Sequence, residues 1–134
     1  MTDSQQTETP WTGLHDLAYI YVVFGKVTDK VLKGVEADEI IKSLQEWIPD
    51  LPKDDTQSIF TQALKHYQAT EHWHPSFLQS LERVKAILSP KHVMGIINDL
   101  VNIAKSDNRI YDTEKRLIGE IACILIGDAT EDLM

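Results

Sequence analysis

The sequence predicts an all-α, single-domain helical bundle of about six helices. Three observations lead there. Apolar residues recur at the i, i+3, i+4, i+7 spacing of a helical face along nearly the whole chain. The one stretch with strand propensity has no second strand to pair with. The length, 134 residues with 43% apolar and 25% charged, suits one well-buried core.

Residues 1–12 are polar, with neither the basic start nor the apolar run of a targeting peptide, and are expected to form a disordered arm ahead of a helical domain over 13–134. Leu17 to Val27 is rich in β-branched and aromatic residues, as strands are. A lone strand would leave its backbone groups unpaired, and Leu14, Leu17, Ala18, Tyr21 and Val22 keep helical spacing, so a first helix is expected. Gly34 precedes an acidic first turn, Glu36, Asp38 and Glu39, which suits the positive end of a second helix carrying Ile40, Ile41, Leu44, Trp47 and Ile48. Pro49 and Pro52 mark the connection to a third, capped by Asp54 or Asp55, with Ile59, Phe60, Ala63, Leu64 and Tyr67. His74 is expected to be extended because proline follows it. Pro75 then opens a fourth helix with Phe77, Leu78, Leu81, Val84 and Leu88 facing inward.

Ser89 and Pro90 start a fifth helix, with Val93, Ile96, Ile97, Leu100 and Ala104 on its apolar stripe. Asp112 caps a sixth, carrying Leu117, Ile118, Ile121, Ala122 and Leu125, with Gly127 as its stop. The stretch Ile121 to Ile126 is apolar all round, which predicts the central element of the core. Leu44, Trp47, Ile97, Leu100, Ile118 and Ile121 are the expected core centre.

Thirteen Lys and Arg against twenty-one Asp and Glu give a net charge of −8, so nucleic acid is not an expected partner. A single cysteine, Cys123, excludes an internal disulfide and any CxxC site, and its apolar helix suggests an inert core thiol. The apolar run Tyr19 to Phe24, within a stretch bounded by Asp16 and Lys26, is far short of the roughly 20 residues that span a bilayer. No membrane insertion and a cytoplasmic location are therefore expected. No GxSxG, GxxxxGK[ST] or GxGxxG motif is present, so the chain does not read as an enzyme. His72-Trp73-His74, with His66 and Glu71 nearby, superficially suggests metal ligands. It lacks the spacing of a zinc site, and a loop-packing role is the better reading.

One pattern repeats. Asp29 and Glu36 are seven residues apart, as are Asp107 and Glu114, and the two pairs are offset by 78 residues. At that offset Thr28 matches Ser106, Val23 matches Val101, Leu32 matches Ile110 and Ile40 matches Ile118. Each copy reads as a helix, a short loop bearing Asp, and a second helix with Glu in its opening turn, which predicts two related helix–loop–helix units.

The second copy, Ala104, Asp107, Asn108, Ile110, Glu114 and Ile118, resembles the A-x-x-D-G-x-I-x-x-x-E-x-x-x-I signature of the TerB-like tellurite-resistance family. The same resemblance extends to the N-terminal region of the membrane-anchored J-domain co-chaperone DjlA. Asn108 stands at the family's Gly position, a tolerable change because Asn also enters the left-handed region. The first copy keeps Asp29, Leu32, Glu36 and Ile40 but has Lys26 and Lys30 at the Ala and Gly positions. The resemblance implies an all-α bundle with a non-enzymatic, stress-associated role. It also implies a divalent-cation site at Asp107, Glu114, Asp29 and Glu36, with Ca²⁺ or Mg²⁺ suited to oxygen ligands. Against this stands a metal-independent adaptor in which each Asp and Glu only ties up loop N–H groups and meets the helix dipole. The partner is then a protein, and a basic one would suit the acidic face of Asp38, Glu39, Glu46, Asp50, Asp54 and Asp55.

Overall fold

The computed structural model describes residues 12–29, 34–105 and 112–132, with the backbone alone at 27–29, 90 and 127–132. They form six helices: α1 (Gly13–Asp29), α2 (Gly34–Trp47), α3 (Lys53–Ala69), α4 (Trp73–Ile87), α5 (Pro90–Lys105) and α6 (Asp112–Asp132). Among the described residues no strand occurs. The expected arm, apart from Thr12, and Asp107 lie outside the described residues.

Helix α1 is the axis of the bundle. It touches each of the other five helices, and every residue from Ala18 to Phe24 is fully buried. This is the stretch with strand propensity, so tertiary burial on all sides overrode the local preference of its β-branched and aromatic residues. Helices α3 and α4 pack most extensively on α1, α2 bridges α1, α3 and α5, and α6 lies chiefly along α5.

Two polar residues of α1 are carried into the interior with partners. The buried Asp16 carboxylate accepts from Ser80 Oγ at 3.0 Å and from Arg83 Nε and Nη2 at 3.0 and 2.8 Å, which ties α1 to α4. Buried His15 accepts a hydrogen bond at Nδ1 from the Thr12 backbone N–H at 3.0 Å, and its Nε2 lies 2.6 Å from Gln62 Oε1 on α3. The Nδ1 contact leaves Nε2 to carry the proton and donate to Gln62. Thr12 and His15 thus form a reciprocal cap at the start of α1, with histidine in the place that Glu or Gln usually takes. The exposed pair Ser89 and His92 repeats the histidine half of this cap at the start of α5, with Ser89 Oγ 3.0 Å from His92 Nδ1, while the His92 N–H bonds the Ser89 carbonyl at 2.9 Å.

Several sequence expectations are corrected. The cap of α3 is Pro52 rather than Asp54 or Asp55, which sit inside the first turn where the dipole favours them. His74 is helical, because α4 begins at Trp73 and Pro75 falls in the first turn, where its missing N–H costs nothing. Leu78 is exposed. Helix α6 runs past Gly127 to Asp132 and is not central: Leu117, Ile121 and Leu125 are buried while Cys123 is exposed. Of the expected core centre, Leu44, Leu100 and Ile121 are buried, and Trp47, Ile97 and Ile118 pack partly buried against it.

Candidate functional site

The α1–α2 and α5–α6 junctions carry the Asp–Glu pairs. Glu36 is the third residue of α2, and Glu114 the third of α6. At that place a carboxylate meets the unpaired N–H groups and positive dipole end of its own helix. Both side chains are buried, each at 1% relative exposure. Their neighbours are not: Val35 and Asp38 in α2, and Thr113, Lys115 and Arg116 in α6, all face solvent. Each helix thus turns only its glutamate inward from its acidic start. A glutamate is rarely buried without a partner, and each takes part in an interaction within the chain.

The Asp half of each pair is not placed in the same way. Asp29 is the last residue of α1, with its side chain outside the described residues, and all of Asp107 lies outside them. Among the described residues, no group of three or more His, Cys, Asp or Glu side chains is placed to hold a metal ion. The donor set named by the sequence, Asp107, Glu114, Asp29 and Glu36, is entirely carboxylate. Its chemistry fits a hard cation such as Ca²⁺ or Mg²⁺ rather than zinc.

The histidine motif is dispersed. His72 precedes α4 and His74 lies in its first turn, both exposed. The ring of Trp73 meets those of His74 and Phe77 edge-on at 5.3 and 5.8 Å, and His66 packs edge-on against Tyr19 at 5.0 Å.

A third acidic centre escaped the sequence reading. Asp99 of α5 is 7% exposed. Its Oδ2 accepts from the Tyr21 hydroxyl at 2.5 Å and from Trp47 Nε1 at 2.7 Å, joining α5 to α1 and α2. Burial raises the Asp99 pKa above the usual carboxylate range. The two hydrogen bonds oppose that shift, and the charges of Glu46 and Glu39 reinforce it. Burial, and then the Asp99 charge, push the Tyr21 phenol well above its ordinary value. Tyr21 and Asp99 stand at the same 78-residue offset as the Asp–Glu pairs, the only hint of their contact in the sequence.

Two surface depressions lie among the described residues. One, of about 430 Å³, is edged by the charged residues Asp38, Lys42, Glu46 and Lys53. The other is an apolar cleft of about 160 Å³ where α1 begins and α2 and α4 end.

Residues 26–131 match the family model described as tellurite resistance protein TerB. The chain belongs to the TerB family. The match contains both Asp–Glu junctions and begins inside α1, downstream of the fully buried stretch from Ala18 to Phe24. No curated protein and no solved structure matches the chain. Among the described residues, no helix of this TerB-family chain is long and apolar enough to cross a membrane.

Proposed function

We propose that this chain is a non-enzymatic, stress-associated module of the tellurite-resistance type that works by binding, with a divalent cation held at its Asp–Glu junctions. The observation that carries this reading is the matched burial of Glu36 and Glu114, each at 1% exposure in the third position of a helix that follows an Asp-bearing segment. A carboxylate held at the first turn of its helix is placed to add an oxygen to a hard cation shared with the neighbouring Asp. Asp107 and Glu114 would hold the ion at the second junction, with backbone carbonyls and water completing the shell. Asp29 and Glu36 would do so at the first. When bound, the cation supplies a cross-link between loop and helix. Glu114 for its part fixes the first turn of α6, and Glu36 that of α2. Stabilising the junction in this way would couple cation level to the rigidity of the bundle. A cytoplasmic location accords with this role.

The second reading is the metal-independent adaptor. What favours it is that Glu36 and Glu114 each already interact within the chain, so their helix starts could be complete without an ion. Titrating metal-stripped protein with Ca²⁺, Mg²⁺, Mn²⁺ and Zn²⁺, read by amide chemical shifts, separates the two. Cation binding requires saturable shifts spanning Asp107 to Glu114 that are lost in Asp107→Asn and Glu114→Gln. Flat titrations, with both variants less stable than the parent, would make the Asp–Glu motif a structural turn and leave binding partners as the place to look for function.

A further inference from the structure

The apolar cleft is unlike the rest of this acidic surface. Leu14 and Leu17 of α1, Trp47 and Ile48 at the end of α2, and Val84 and Ile87 at the end of α4 line it. Ile48 is 42% and Ile87 66% exposed, so two large aliphatic side chains stand in water beside an open apolar recess of about 160 Å³. That space suits one large apolar side chain and is too small for a whole helix. The indole of Trp47 is fixed at the back by its N–H bond to Asp99 and by close packing on Gly95, where an added Cβ would come within 3.3 Å of the ring.

The charge around the recess has one sign on the α2 side. Glu46 and Asp50 are exposed on either side of Trp47 and Ile48. From Asp38 to Asp55 the chain carries six carboxylates against two lysines, Lys42 and Lys53, which edge the same depression as Glu46. The C-terminus of α2, which carries the negative end of the helix dipole, closes at this edge, and its last turn holds no basic residue. The structure thus offers an apolar socket beside a surface of net negative charge. We infer that this cleft binds a partner protein segment presenting one large apolar side chain flanked by lysine or arginine. The apolar residue seats between Ile48 and Ile87, and the cations lie against Glu46, Asp50 and the carbonyl end of α2. This surface is separate from the Asp–Glu junctions and stands whether or not a cation binds there.

The test uses the full chain and a blocked heptapeptide, a central phenylalanine with two lysines on each side and glycine at both ends. Its glutamate counterpart and a version with glycine replacing the phenylalanine serve as controls. Saturable amide shifts at Ile48, Ile87 and Leu88 with the lysine peptide alone are expected, weakening several-fold in high salt. Ile87→Ser removes exposed apolar surface without touching the core and should weaken binding about tenfold, whereas Leu78→Ser on the same helix should not. Three outcomes would overturn the inference. The shifts could spread over Asp54 and Asp55 and ignore both Ile87→Ser and loss of the phenylalanine, which is charge attraction alone. The cleft amides could move with protein concentration in the absence of peptide, which makes a second copy the occupant. They could instead move on Trp11→Gly alone, which assigns the cleft to the chain's own N-terminal segment.

Discussion

Helix α1 contains eight consecutive apolar residues, Leu17–Phe24, and helix α6 contains six, Ile121–Ile126. In α1 that run is buried throughout and the helix touches every other helix. In α6 only Ile121 and Leu125 of the run are buried, and Cys123 faces solvent. Two extra apolar residues do not account for the difference; the polar residues around the runs do. Upstream of its run α6 carries Arg116, Gly119 and Glu120 on one face, all exposed, and Cys123 continues that stripe one turn later. A helix whose solvated stripe is set by charges keeps that stripe through an apolar stretch. Among its described side chains helix α1 has no such stripe, because His15 and Asp16 are drawn inside by Gln62, Ser80 and Arg83. A central helix is recognised by where its polar residues find partners, more than by the length of its apolar run.

The largest expected effect sharpens this contrast. Ile20→Ala in α1 empties a fully buried site ringed by other helices and should cost about 3–4 kcal/mol in urea unfolding. Ile124→Ala in α6 removes a partly exposed side chain and should cost about 1 kcal/mol or less. Equal losses at the two sites would make α6 as central as α1.

Asp99 provides a smaller effect with a definite sign. Asp99→Ala leaves the Tyr21 hydroxyl and the Trp47 N–H without their acceptor, at a cost of about 2 kcal/mol. The pH dependence runs opposite to that of a salt-bridged carboxylate. Because burial raises the Asp99 pKa, the folded state holds its proton more readily than the unfolded chain does. The contribution of Asp99 is therefore fully present below the unfolded carboxylate pKa and is lost as pH rises through the folded value. Stability measured in half-unit steps from acid toward neutral pH should show this decline in the parent, and Asp99→Asn should remove it. A parent whose Asp99 contribution instead grows with pH would mean that the two hydrogen bonds outweigh burial.

The helical class and the six elements were legible because nearly every apolar stripe keeps the 3.6-residue period and because proline marks both the α2–α3 and α5 boundaries. The family was legible from six residues, Ala104 to Ile118. The centre of the bundle was not, since α1 has the composition of a strand and its role depends on neighbours distant in sequence. The polar ties were hidden for the same reason: Asp16 meets Arg83 across 67 residues and Asp99 meets Tyr21 across 78. The caps are different. Thr12-x-x-His15 and Ser89-x-x-His92 have capping-box spacing, and reading histidine as an acceptor would have found them. Of the four site residues named from sequence, Glu36 and Glu114 are now placed as buried carboxylates, a property that position in a first turn does not specify.

Cys123 gives the smallest effect on stability and the most direct probe of the α6 face. It lies on the stripe that Arg116 and Glu120 begin, and its thiol is exposed. Cys123→Ser should therefore change unfolding free energy by no more than about 0.5 kcal/mol, whereas a core thiol would lose a buried apolar group. The native protein should also react fully with a thiol reagent such as DTNB, without added denaturant. Slow or partial labelling that becomes complete only on dilution would show this face covered by another copy. The comparison between α1 and α6 would then apply to the isolated chain and not to the assembly. Complete labelling at every concentration, with Ile20→Ala still far costlier than Ile124→Ala, would establish α6 as a helix with one permanently solvated face, packed against an axis that has none.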